Sequence, residues 1–171
     1  MKDNNFLLIL DSWGGQTDPS LFPKFFSNKK NNQCTSHVEV IPPNCTPFNQ
    51  PCDVYFFRQV KILINKLQNN CFLMEENREI NSREDCIKIH SLVHHQFSSP
   101  IFQNMIVYAW YKSGLVPDRK KFLNCNQICF PRKLHLQKCH CSKFSFIQCA
   151  RCRSYICFKC FYDDYHPKIC R

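Results

Sequence analysis

VEVIPPNCTPFNQPCDVYFFRQVK, residues 38–61, is the stretch from which the fold can be read. A short β-type run, Val38 to Ile41, meets Pro42-Pro43, which neither a helix nor a central strand can cross. The irregular segment NCTPFNQPC follows, and Asp53 then opens an amphipathic helix. Pro51 suits a first helical turn, and apolar residues recur at Val54, Phe57, Val60, Ile64 and Leu67, which is helical spacing. This order holds one carboxylate at the mouth of a sheet. A second acid, Asp11, ends the strand-like run FLLIL (6–10), which reads as a strand buried on both faces. Two acids at the ends of two elements of one sheet suggest a metal site, because Mg²⁺ takes oxygen ligands and keeps several waters.

Outward from these two elements the chain is mostly helical. Gly14-Gly15 breaks the first strand. A helix candidate, Pro19 to Phe26, and a polar loop, SNKKNNQ, fill the interval to the second. Residues 75–83 are polar and read as a loop. Ser82 with Asp85 forms a variant of the capping box and starts a helix to about Phe97. Ser99-Pro100 starts another, ended by Gly114 and kept from continuing by Pro117. Ile87, Leu92, Phe97, Met105, Ile106, Ala109 and Trp110 read as packing residues. Trp110 as a base-stacking platform is the competing role. His90, His94 and His95 lack the glutamate of an H-E-x-x-H metal site, since Ser91 follows His90. They read as structural or surface histidines.

Cysteine and charge concentrate toward the C-terminus. Half of the 14 cysteines lie in residues 139–171. Cys139, Cys141, Cys149, Cys152, Cys157, Cys160, His166 and Cys170 form C-x-C, C-x2-C, C-x2-C and H-x3-C pairs. These make two closed tetrahedral sites for structural Zn²⁺. A cross-brace joins pairs one with three and two with four; a sequential scheme joins neighbours, and the spacing leaves both open. The apolar run at the N-terminus is too short for a signal peptide, and no run reaches the length of a membrane span. An intracellular zinc protein is the reading, rather than a secreted disulfide scaffold.

The net charge is +10, and residues 110–171, with thirteen Lys/Arg against three Asp/Glu, carry all of it. Seven thiolates and two Zn²⁺ bring the cysteine module close to neutral. The basic surface is then concentrated at Arg119, Lys120, Lys121, Arg132, Lys133 and Lys138, in a stretch (117–138) that reads as a linker. These six are the candidates for phosphate contact through charge rather than base readout.

LLILDSWGGQ followed by the 38–61 stretch resembles the second half of the DDE-superfamily endonuclease domain of mariner/pogo-type transposases. In that family a strand ends in the second catalytic Asp, and a P-P-N-T-T-like turn and Q-P-x-D motif carry the third. Here these are Leu7 to Asp11, Pro42 to Thr46, and Gln50 to Asp53, with Phe56, Phe57, Arg58 and Lys61 continuing the pattern. The resemblance covers about residues 6–70. It departs at Ser12, where Asn is common, and in the 41 residues between the two acids, a longer interval than is usual. It implies an α/β fold, part of a ribonuclease-H-like domain with two of its strands. It also implies Asp11 and Asp53 as catalytic Mg²⁺ ligands, and a parent activity of metal-dependent DNA cleavage and strand transfer.

The family's first Asp lies on an earlier strand, and this sequence begins five residues before the strand of Asp11. The expectation is that this chain alone does not cleave DNA. The run KIHSLVHHQFSSPIFQNMIVYAWYKSGL, residues 88–115, resembles the segment that follows the catalytic domain in transposase-like proteins. The cysteine spacing resembles RING/PHD-type cross-braces and the tail of piggyBac-type transposases, and its last four ligands resemble the sequential in-between-RING site. The expected organisation is 1–70, half of a DDE domain; 71–116, helical; 117–138, basic linker; 139–171, zinc module. The expected setting is the nucleus, with DNA, and a full-length transposase or another protein, as partners. The alternative is a non-enzymatic zinc module that docks DNA, chromatin or protein.

Overall fold

In a computed structural model, residues 6–18, 36–74 and 79–170 are described. The helix candidate 19–26 and the SNKKNNQ loop lie outside them. Among the described residues the chain is α/β, with helices and two small two-stranded sheets. Strands β1 (Phe6–Leu10) and β2 (Ser36–Val40) pair in parallel, from Phe6 opposite Ser36 to Leu10 opposite Val40. The Ile41 amide extends the pairing by donating to the Leu10 carbonyl at 2.9 Å. Leu7 is 45% exposed and Leu8 to Leu10 are half-buried, so β1 is not covered on both faces by the described residues.

After Pro42-Pro43, Asn44 takes a positive φ of 66° to turn the chain. A single helical turn, α1 (Thr46–Asn49), leads to Pro51. Cys52–Phe56 is one turn of π-helix, and α2 (Phe57–Met74) follows without a break. Phe57 is 44% exposed and Val60 and Ile64 half-buried, while Gln59, Leu63, Leu67 and Cys71, four residues apart, face the core. Of the stripe expected from spacing, Leu67 alone is fully buried.

The capping box forms at the start of α3 (Arg83–Phe97): the Asp85 amide donates to Ser82 Oγ at 3.1 Å, and the Ser82 amide to the Asp85 carboxylate at 3.3 Å. A 3₁₀ turn at Pro100–Phe102 opens α4 (Gln103–Lys112). Gly114, at φ 76°, closes it in a Schellman motif. Its amide bonds to Tyr111 and that of Leu115 to Trp110, both at 3.0 Å. Leu92, Phe97, Met105 and Ala109 are buried as expected; Ile87 (63%) and Ile106 (39%) are exposed, and Trp110 is half-buried.

The basic stretch 117–138 holds a short helix, α5 (Cys125–Cys129), capped by Asn124, with Cys125, Ile128 and Cys129 buried. The Cys125 amide donates to Gln59 Oε1 at 3.2 Å, tying α5 to α2. Beyond it β3 (Ile147–Gln148) pairs antiparallel with β4 (Tyr155–Ile156). A π-helical turn (Lys159–Asp163) and a 3₁₀ turn (His166–Lys168) follow. One continuous buried cluster runs from Leu63 through Leu92, Phe102 and Ile128 to Ile156, Phe161 and Tyr162.

Candidate metal centres and basic strap

Asp11 lies just past β1. Its Oδ1 accepts from Thr46 Oγ1 and from the Ser12 amide, both at 2.7 Å. The first contact spans 35 residues, so the proline turn holds the carboxylate at the end of the strand. Asp53 is exposed in the π-helical turn. Beside it, burial first and the Asp53 charge second raise the Cys52 thiol above its usual range. Groups of three or more metal-capable side chains among the described residues are made of Cys and His, and neither Asp11 nor Asp53 belongs to one.

The first such group brings together Cys139, Cys141, Cys157 and Cys160, all four sulfurs within 4.8 Å of one another. Local backbone geometry sets their directions. Cys139 donates its amide to Lys143 O at 2.9 Å, Ser142 turns at φ 68°, and the Cys160 amide points at Cys157 Sγ at 3.5 Å. Cys141 and Cys157 sulfurs are 3.5 Å apart. Zn–S bonds of about 2.3 Å place tetrahedral sulfurs about 3.8 Å apart, so the group fits zinc.

Crowding is unfavourable for bare thiolates. Burial, reinforced by neighbouring thiols, raises Cys160, while the Lys143 backbone amide brings exposed Cys141 down to about 7. A divalent cation reverses the penalty on the buried members by binding the deprotonated form. His140, absent from the expected ligands, stands alongside, with Nδ1 3.4 Å from Cys139 Sγ and Nε2 3.8 Å from Cys160 Sγ.

The second group contains Cys149, His166 and Cys170 together with His95. Cys149 and Cys170 sulfurs are 3.8 Å apart, and Cys152 Sγ lies 3.4 Å from His166 Nε2. Cys170 is pushed up to about 12, by burial first and the Cys149 charge second. Pairs one and three thus meet in one place and pairs two and four in another, the crossed arrangement. Both groups have the donors and spacing to hold zinc.

Helix α3 holds the cysteine module along one polar stripe. Tyr162 donates to Asp85 Oδ1 at 2.6 Å, Lys88 Nζ to Asp163 O at 3.3 Å, and Ser91 hydrogen-bonds Tyr165. At its end, fully buried Gln96 accepts from the Ala150 amide at 2.7 Å and donates to Cys149 Sγ at 3.5 Å, while Ser99 Oγ donates to Ala150 O at 2.9 Å. Polar residues at 85, 88, 91, 95 and 96 recur at helical spacing; that periodicity was the available signal, and on an isolated helix it describes a solvated face. Gln96→Leu keeps the volume but strands the Ala150 amide. A loss of about 1–3 kcal/mol is expected in denaturant melts, and an unchanged midpoint would refute the role given to Gln96.

Of the six expected phosphate contacts, Arg119, Lys120 and Lys121 line a cavity of about 640 Å³ with Phe122 and Leu123. Phe122 anchors this strap: its ring centroid is 4.4 Å from Tyr108 and 5.6 Å from Tyr55. The Arg119 guanidinium sits 5.7 Å from the Tyr108 ring centre. Tyr55 belongs to the π-helical turn of Asp53, so Phe122, next in sequence to the three cations, packs against that turn. Arg132, Lys133 and Lys138 are exposed farther along, Lys138 with Nζ 5.9 Å from the Phe144 ring. No helix among the described residues is long and apolar enough to cross a membrane.

Residues 110–170, about a third of the chain, match the family model of the Tc5 transposase C-terminal domain, so this segment is similar to a transposase domain. Neither a curated protein nor a solved structure matches the chain.

Proposed function

We propose that this chain is a transposase-derived, nucleic-acid-binding protein of the nucleus, built on two structural zinc sites. Cys139, Cys141, Cys157 and Cys160 form one; the other lies where Cys149, His166 and Cys170 meet, with Cys152 and His95 alongside. The observation that carries the binding reading is the strap Arg119-Lys120-Lys121, three consecutive cations on a cavity wall, pinned by Phe122 against Tyr55 and Tyr108. A preordered cationic edge lowers the entropy lost when phosphates bind and adds favourable counterion release. The family match of residues 110–170 supports the same reading.

The DDE resemblance supplies the finer part: Asp11 and Asp53 as Mg²⁺ ligands of a parent DNA-cleaving site. Support for it is the tethering of Asp11 to Thr46, just past the proline turn. The alternative, a non-enzymatic module that docks DNA, chromatin or protein, rests on the two Cys/His groups themselves.

Changing Arg119, Lys120 and Lys121 together to Gln tests the proposal, with duplex and single-stranded DNA binding measured by anisotropy across a salt series. Each lost phosphate contact flattens the duplex slope of log K against log salt by about 0.9, so a change of about 2–3 is expected. All three side chains are exposed, so the fold is retained. An unchanged slope overturns the assignment.

A further inference from the structure

Five donors converge on the second metal group, one more than a tetrahedral Zn²⁺ takes. His95 is the one that comes from outside the transposase-related segment. Its Nε2 lies 4.0 Å from Cys149 Sγ, and the donor atoms of His95, Cys149, His166 and Cys170 all fall within 4.8 Å of one another. Zn–N and Zn–S bonds of about 2.0–2.1 and 2.3 Å put tetrahedral N and S about 3.6 Å apart, which needs only a small closure here.

The position of His95 is not left to a flexible side chain on a loose element. The next residue, Gln96, bonds both the Ala150 amide and Cys149 Sγ, and Ser99 bonds Ala150 O. Three hydrogen bonds therefore lock the end of α3 to the turn that carries Cys149. Cys152 sits on the other side of the group, against His166 Nε2 and within reach of Cys170. The His95 and His166 rings meet edge to face, with centroids 6.2 Å apart.

We propose that His95 is the fourth zinc ligand of the second site, with Cys149, His166 and Cys170, and that Cys152 is a reserve donor left outside the closed shell. The metal is then a clasp between helix α3 and the cysteine module, joining two segments of the chain through one ion. This rests on the reading that the second group holds zinc.

The test uses the full chain loaded with Zn²⁺ or Co²⁺. In the zinc form, alkylation mapped by mass spectrometry is expected to label Cys152 while sparing Cys149 and Cys170. Cys152→Ser is expected to leave the cobalt charge-transfer spectrum and a stoichiometry of two metals unchanged. In His95→Ala, Cys152 takes the vacated position: it becomes protected, and the thiolate-to-cobalt intensity rises. The double variant loses the second metal, while the first site's cobalt spectrum reports that the remainder is folded. Protection of Cys152 in the parent chain, with an unaltered spectrum in His95→Ala, overturns the assignment but leaves the zinc reading standing. A parent chain that binds one metal overturns both.

Discussion

Cys160→Ser is expected to leave the chain with one zinc instead of two and to unfold the region around the first site. Cys160 is 6% exposed, with its sulfur among those of Cys139, Cys141 and Cys157. The strands of this region are two residues each, too short to persist by pairing alone. A structural zinc contributes an apparent binding free energy of about 10–16 kcal/mol. That equals or exceeds the whole stability of an ordinary domain, about 5–15 kcal/mol. Serine's neutral hydroxyl does not replace the thiolate, so metal and local fold are lost together. Zinc content by elemental analysis, and a melt followed by near-ultraviolet circular dichroism, read the two losses; a strong chelator applied to the parent chain gives the same result at both sites. A variant that keeps two zinc ions and the parent melting temperature would show the cluster to be a group of ordinary buried thiols.

Tyr162→Ala carries the second large effect, and it reports on the joint between α3 and the module. Tyr162 is fully buried, stacks on Phe158 at 5.4 Å between centroids, and lies under Lys88 Nζ at 4.5 Å. Its hydroxyl donates to Asp85, the residue that also closes the capping box of α3. Removing the ring leaves a cavity and is expected to cost about 3–5 kcal/mol. Tyr162→Phe keeps the packing and gives up the hydrogen bond to the carboxylate, for about 1.5–3 kcal/mol. Chemical denaturation followed by tryptophan fluorescence measures both. If the alanine variant loses less than the phenylalanine variant is expected to lose, the ring is not a structural joint.

Much of the local structure was legible because it follows from short-range chemistry. Ser82 and Asp85 satisfy each other's backbone amides within one turn of chain, and Gly114 is where a left-handed residue is needed. Both could be read from a few letters. The stripe on α2 was legible only in part, because its buried face runs through Gln59, Leu63, Leu67 and Cys71, and Gln59 is not a letter from which an apolar stripe is read. Ile87 and Ile106 have the right residue type for the core but sit on faces that no other described element covers.

The cysteine groups divide along the same line. Short spacings in the sequence marked which donors stand side by side, Cys149 with Cys152 among them, but not which member of a pair enters a metal shell. Which pairs meet was open between crossed and sequential, and only the tertiary structure decided it, through the path of the chain around β3 and β4. His95 and Gln96 lie more than fifty residues from Cys149, and nothing near them in the sequence distinguishes them from surface residues. Likewise Arg119 to Lys121 were visible as charge, but the course of their stretch depends on the packing of Phe122 against Tyr55 and Tyr108. The sequence alone determined the pieces whose partners lie within a few residues: caps, turns, chelating pairs and a basic segment. The tertiary structure decided every juxtaposition across distant segments, because burial, helical phase and chain path depend on the fold as a whole.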